Sequence, residues 1–200
     1  MKLLSSWDDC SLEDLKLADL VSRYEIETVF YWPVRPQTHF KTLSPQQRQQ
    51  IAKSFEIGSH TITHPLLTRV DIEQARTEIE QSREMLADEL NQDILKFCYP
   101  RGYSNPEIQQ IVVESGYESA RSTLVGYIHQ TENPYFEQTA VHIGCDRKEY
   151  AGLGWFEYAL FMLEEAKQIP DSVFHFWGHG WELSKNNAWA DFEKLLEIIR

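Results

Sequence analysis

Three groups of ionisable residues carry the chemical content of this 200-residue sequence: Asp8-Asp9, His60-Thr61-Ile62-Thr63-His64-Pro65, and His179 within Trp177-Gly178-His179-Gly180-Trp181-Glu182. Neighbouring residues on a strand point to opposite faces, so paired carboxylates share one site only where the chain bends. Brought together, they repel unless a cation lies between them or their pKa values split. Histidines at i and i+4 fall on one side of a helical turn or of a tight loop. Thr61-Ile62-Thr63 is a poor helix former, which favours the loop. Two histidines, one carboxylate and an open fourth position make a hydrolytic zinc arrangement, in which bound water has a pKa of about 7. Taken singly, paired acids are ordinarily a helix cap and a solvated neighbour, and isolated histidine pairs ordinarily hold nothing. Their joint placement reverses that weighting.

His175, Trp177 and His179 share one strand face at a period of two. His179, at the strand end, is the candidate general acid, because a nearby carboxylate tunes an imidazole across neutral pH. His175, deeper in the strand, reads as a hydrogen-bonded core histidine. Trp177 and Trp181 flank the position and read either as plain core or as ring faces for the apolar face of a sugar. His39 and His129 lie in predicted loops and His142 in a strand, and the sequence gives them no role.

These groups need elements to position them. Leu3–Trp7, short and apolar, and Thr28–Trp32, β-branched and aromatic, read as strands, and Phe55–Gly58, Ile94–Tyr99, Tyr117–Ser122, Thr139–Gly144 and Val173–Trp177 look like further ones. Between them, Ser11 is expected to cap a helix carrying Leu12, Leu15, Ala18 and Tyr24. Ser44-Pro45-Gln46-Gln47 reads as a capping box. Asp71 caps a long helix with Ile72, Ala75, Ile79, Leu86 and Leu90 on one face. Ser104-Asn105-Pro106-Glu107 starts a helix that Gly116 ends, and further helices are expected over Trp155–Lys167 and Trp189–Ile199. About seven strands alternating with helices imply a parallel α/β arrangement in one domain spanning 1–200, either a barrel or an open doubly wound sheet.

In such folds binding and catalysis gather at the carboxyl ends of the strands. Asp8-Asp9, His60 and His64, Pro100-Arg101-Gly102, Cys145-Asp146, and His179 with Glu182 each follow a predicted strand. They are therefore expected at one rim. Cys10 and Cys98 also lie at strand ends, although a small buried hydrophobe is the common fate of a free cysteine.

Composition narrows the partners. The chain is 42% apolar and 12% aromatic, as a globular core requires. It carries 19 basic against 31 acidic residues, a formal charge of −12 with no basic cluster. That argues against nucleic acid and against an anionic membrane surface. No apolar run approaches a membrane span, and Leu3-Leu4 is too short for a secretory core. Three scattered cysteines make no disulfide framework. A cytoplasmic protein is expected.

These residues, in this order, resemble a known family. Ser6-Trp7-Asp8-Asp9-Cys10 is similar to the T-F-D-D-G opening of the polysaccharide deacetylases, carbohydrate esterase family 4. Ile57-Gly58-Ser59-His60-Thr61-Ile62-Thr63-His64-Pro65 resembles their G-S-H-[ST]-x-x-H-P metal motif. Phe97-Cys98-Tyr99-Pro100-Arg101-Gly102 and Phe176-Trp177-Gly178-His179 resemble the third and the closing motifs. The resemblance implies a distorted (β/α)7 barrel that removes acetyl groups from an N-acetylated sugar or glycan. It implies Asp8 as general base, Asp9, His60 and His64 as metal ligands, His179 as acid, and the backbone N–H of Arg101 as oxyanion donor. Zinc is the expected ion, with cobalt and nickel also suited to such a site. A chain that stays inside a cell would meet a precursor, a nucleotide- or lipid-linked glycan, or a small N-acetyl sugar.

Three departures matter. Cys10 stands where the family has glycine. Cys98 stands where many members carry an arginine that orients the base, leaving Arg101 as the candidate for that charge. The carboxylate behind the catalytic histidine is expected from Asp146, with Glu182 as the other candidate. Two rival readings remain: a relative that opens another non-peptide C–N bond, as in a cyclic ureide or imide, and a non-catalytic carbohydrate-binding protein.

Overall fold

The computed structural model describes residues 1–36, 38–129 and 131–200. Its elements run β1 (Lys2–Asp8), α1 (Asp14–Arg23), β2 (Glu27–Trp32), α2 (Pro45–Ala52), β3 (Glu56–Ser59), α3 (Ile72–Leu90) and β4 (Lys96–Cys98). They continue with α4 (Pro106–Glu114), β5 (Ser119–Arg121), β6 (Val141–Ile143), α5 (Trp155–Gln168), β7 (Val173–Gly178), α6 (Gly180–Lys185) and α7 (Trp189–Ile199). All strand pairs are parallel, in the order β5-β4-β3-β2-β1-β7-β6.

The sheet is curled. Four strand spacings of about 4.8 Å separate β5 from β1, roughly 19 Å if flat. Yet the Arg121 guanidinium on β5 bonds the Asp8 carboxylate on β1. Closure is completed by one stretch of chain and not by pairing of β5 with β6. The Glu137 N–H donates to the Ala120 carbonyl on β5, and Val141–Ile143, a few residues on, pairs with β7. The result is the distorted seven-stranded α/β barrel expected from the sequence.

Alternation along each strand sorts side chains into two layers. Phe30 and Trp32 join the large outer core beneath the helices, while Val29 and Tyr31 meet Cys98 inside the barrel. Trp7 packs edge-on to Phe192 of α7, whereas Ser6 and Asp8 beside it turn inward to His175 and Arg121. Gly58 lets β3 lie close to its neighbours, since a Cβ there would come within 2.4 Å of the Tyr31 ring and 2.9 Å of the Lys96 carbonyl.

Most expected caps are present. Ser44 and Gln47 form the capping box of α2, Asp71 accepts from Gln74 N–H, and Asn105 from Ile108 N–H. Ser11 is a correction. Its hydroxyl donates to Asp14, and α1 begins three residues later without a side-chain cap. The short helix α6 was not anticipated, because six residues are too few for a 3.6-residue period to show. Among the described residues no helix is long and apolar enough to cross a membrane.

Candidate active site

Strand β2 sets the spacing of the metal-motif residues. The Asp9 N–H donates to the Tyr31 carbonyl and the His60 N–H to the Trp32 carbonyl, so both residues extend the ladder one step past their own strands. There the backbone bends. Asp9 (φ 84°) and Cys10 (φ 60°) lie in the left-handed region, as do Thr61 (69°), His64 (58°) and Arg101 (59°). Such φ values are costly for residues with a Cβ and cluster where a site requires them. Cys10 therefore holds a conformation that glycine would take without that cost.

The 60–64 segment is a loop, as its Thr-Ile-Thr composition suggested. Buried Glu78 of α3 braces it, accepting from the N–H groups of Ile62 and Thr63 and from the Thr63 hydroxyl. The Thr61 hydroxyl accepts from the His64 N–H. Glu78 is a positioning residue that sequence reasoning missed.

Six expected residues, Asp8, Asp9, His60, His64, Arg101 and His179, line one cavity of about 220 Å³ together with His39, Thr123, Trp177 and Trp181. Asp9 Oδ1 is 3.9 Å from His60 Nε2 and 3.7 Å from His64 Nε2, and Asp9 Oδ2 is 3.7 Å from His179 Nε2. His60 Nδ1 lies 2.7 Å from the Cys98 carbonyl, which can only accept. Nδ1 therefore carries the proton, and the Nε2 lone pair faces Asp9. Burial holds His60 below the usual histidine range and His64 at about 4, so both imidazoles are neutral, the form that binds a metal.

Asp9 Oδ2 accepts from the Trp181 indole N–H at 3.0 Å, but Oδ1 is buried without a hydrogen-bond partner among the described residues. A partnerless carboxylate oxygen faced by two imidazole nitrogens fits a divalent cation. Asp8, His60 and Cys98 also come close together. There, however, the carboxylate is already matched by an arginine, and burial drives the thiol well up and keeps its proton.

That arginine corrects the sequence reading. Arg121, fully buried on β5, donates to both Asp8 oxygens, so the guanidinium beside Asp8 comes from Arg121 and not from Arg101. Burial alone would push the Asp8 carboxyl up. Arg121, with lesser help from His60 and His179, pulls it down to about 2. The Cys98 thiol also approaches Asp8, at 3.6 Å. Cys10 is buried and Cys145 half-buried, and all three cysteines are free.

The carboxylate behind His179 is Glu182, not Asp146. Asp146 instead accepts from the Trp155 N–H at the start of α5. Glu182 Oε2 lies 2.6 Å from His179 Nδ1 and 2.8 Å from His142 Nε2. Burial alone would lower the His179 pKa, but the Glu182 hydrogen bond and the Asp9 charge outweigh it and raise the group to about 9. Trp177 is no sugar platform. One face stacks on His142 at 3.9 Å, and Arg121 lies 4.7 Å from the ring centre. Trp181 stacks on Phe40, with ring centres 5.6 Å apart.

Comparison with known proteins bears on the fold and on the family. No curated protein matches the chain in sequence. Among solved structures, the chain is similar to a Streptococcus pyogenes deacetylase in complex with acetate: 21% identity, TM-score 0.56, covering 60% of this chain. The match spans only 55% of that protein's length. A polysaccharide deacetylase-like protein of Mycobacterium smegmatis matches 99% of this chain and 83% of its own, at 13% identity and TM-score 0.74. A carbohydrate esterase family 4 pseudoenzyme of Bacillus anthracis matches 98% of this chain and 60% of its own, at 14% identity and TM-score 0.62. These likenesses show the fold. The sequence pattern of the polysaccharide deacetylases matches residues 3–120, more than half of the sequence, and the chain belongs to that family.

Proposed function

We propose that this protein is a divalent-metal-dependent hydrolase that removes the acetyl group from an N-acetylated sugar or glycan. The observation that carries this reading is the buried, partnerless Asp9 Oδ1 facing His60 and His64, with Asp8 and His179 lining the same cavity.

Asp9, His60 and His64 would hold the cation, with zinc expected and cobalt or nickel also suited to a His₂Asp donor set. When bound, the cation supplies Lewis acidity to the acetyl carbonyl and lowers the pKa of water. Asp8 acts as general base. The low pKa imposed by Arg121 keeps it ionised at neutral pH, and its two bonds to that arginine fix its direction. It takes a proton from the water that attacks the carbonyl carbon. The backbone N–H of Arg101, held in a left-handed turn at the rim, stabilises the oxyanion. An amide nitrogen leaves only when protonated. His179, held by Glu182, delivers that proton as the C–N bond breaks, giving acetate and a free amine.

The cavity, at about 220 Å³, is smaller than the roughly 300–1,000 Å³ that enclose drug-sized ligands. It takes the acetamido end, and the rest of a glycan stays outside.

The deciding experiment pairs elemental analysis of the purified protein with acetate release from a panel of N-acetylated sugars. One equivalent of divalent metal and stoichiometric acetate and amine are expected. Asp8→Asn should keep the metal and lose at least about 100-fold in rate. One structural neighbour is a pseudoenzyme, so the fold alone does not carry activity. Sugar binding without acetate release by the metal-loaded wild type would sink the hydrolase reading.

A further inference from the structure

His142 is used nowhere in the chemistry above, yet few side chains in the molecule are held from so many directions. Its backbone N–H donates to the Tyr150 hydroxyl at 2.8 Å, and that hydroxyl donates back to the His142 carbonyl at 2.9 Å. Tyr150 thus serves β6, an edge strand of the sheet, in place of a neighbouring strand. The imidazole lies flat on Trp177, its register partner on β7, with ring centres 3.9 Å apart and planes 9° apart.

The ring so fixed meets one atom, Oε2 of Glu182, at 2.8 Å. The same oxygen meets His179 Nδ1 at 2.6 Å. An ionised carboxylate only accepts, so both imidazoles present N–H groups to it. Bonds from the two histidines hold Glu182 well below the usual carboxylate range despite its burial. This arrangement has a cost. With Nε2–H turned to Glu182, His142 Nδ1 is left buried without a hydrogen-bond partner among the described residues. Such a loss is sustained where the competing contact is worth more.

We infer that His142 is a positioning residue: its Nε2–H clamps the Glu182 carboxylate, and the clamped carboxylate fixes the ring of His179. Glu182 sits on a helix of six residues and is partly exposed, so its own element does little to hold it. Without His142 it keeps a single partner and can swing toward water. The inference rests on the proposed deacetylation only for its kinetic consequence, and the clamp itself is tested without turnover.

Two substitutions separate clamping from packing. His142→Phe keeps a flat ring against Trp177 and removes the N–H. His142→Gln keeps an N–H donor and removes the ring. In metal-loaded protein, proton NMR should show a slowly exchanging His179 Nδ1–H in the wild type and in His142→Gln, and loss of that signal to water exchange in His142→Phe. Acetate release should fall on the order of 10-fold in kcat for His142→Phe, with KM and metal content unchanged, and stay within about 2-fold for His142→Gln. An unchanged His179 signal in His142→Phe, or equal losses in both variants, would overturn the inference. Should His142→Phe not fold, loss of the signal in His142→Gln overturns it and retention supports it. A wild type that releases no acetate removes the deacetylase reading and leaves the NMR comparison to decide the clamp.

Discussion

The two mouths of the barrel are made from the same strands and hold different chemistry. At the carboxyl ends, a cavity of about 220 Å³ is surrounded by titratable groups, and the backbones of Asp9, His64 and Arg101 among them turn through unfavourable angles. At the amino ends a larger cavity, about 510 Å³, is lined by Leu4, Val29, Val173, Tyr31 and His175 among others. Backbone conformation differs between the two, the larger cavity having one left-handed residue among the described ones that line it, Asp171. Among the described residues, ten without a glycine side chain have positive φ. Five of these, Glu25, Asn91, Ala151, Asp171 and Asn187, follow helical segments, where a left-handed residue ends the turn. The other five, Asp9, Cys10, Thr61, His64 and Arg101, all belong to rim loops of the smaller cavity. Volume is thus a poor guide to chemistry here, and strain combined with unmet polar atoms is a better one.

Substitutions at the two mouths should have opposite consequences. The largest effect belongs to the rim. Asp9→Ala or His60→Ala should abolish metal binding by elemental analysis and lower acetate release by about 10³-fold or more, while the circular dichroism spectrum stays native. Bound metal at wild-type level in either variant would place the cation elsewhere.

Between the mouths lies Arg121. Arg121→Leu strands the Asp8 charge inside the barrel and should cost about 3–5 kcal/mol in urea denaturation. The double variant Asp8→Leu/Arg121→Leu should regain much of that loss, because both charges are gone. If the two losses simply add, the pair is not coupled as the structure requires.

At the amino mouth, His175→Gln should leave acetate release nearly unchanged and alter acid sensitivity. Burial is the main reason that His175 is held at about 3, with the Arg121 charge adding to it. Between that value and the ordinary 6.5 the unfolded chain binds a proton that the folded chain does not. Stability from neutral His175 is therefore fully present above about pH 6.5 and falls by up to about 1.4 kcal/mol per pH unit as pH drops toward 3. Urea midpoints measured across that window should be flatter in the variant. A parallel pair of curves would remove His175 from the account.

The smallest effect is expected at Cys10. A left-handed residue with a Cβ costs about 1–2 kcal/mol, and removing a buried thiol forfeits about 1 kcal/mol of burial. In Cys10→Gly the two oppose, and stability should stay within about 1 kcal/mol of wild type. Cys10→Val, which keeps the bulk and worsens the turn, should cost about 2 kcal/mol or more.

The same division explains what was readable before the structure. Strand and helix order followed from composition and caps, and the rim residues followed from asking what comes after each strand. The metal-motif half was legible because its residues are close in sequence or terminate strands. Arg121 was not. It sits at the end of a three-residue strand in a mostly polar stretch, where one more charged residue carries no signal of its own. Asp146 was favoured over Glu182 because the family pattern has an aspartate behind that histidine, and nothing in the sequence says which carboxylate turns inward. The choice depends on α6, whose existence no periodicity revealed. Glu78 was hidden among the polar positions of a long amphipathic helix, where one inward acid looks like any other.

The distances along the chain between each catalytic candidate and its support are unequal. His179 and Glu182 are three residues apart, within one turn, so a short insertion or a single exchange in that turn alters acid and support together. Asp8 and Arg121 are 113 residues apart, and nothing local ties one to the other. The candidate acid and its carboxylate thus travel together, although Glu182 also depends on His142, 40 residues away on β6. The base end is an agreement between remote parts of the chain, which a grafted N-terminal half would break.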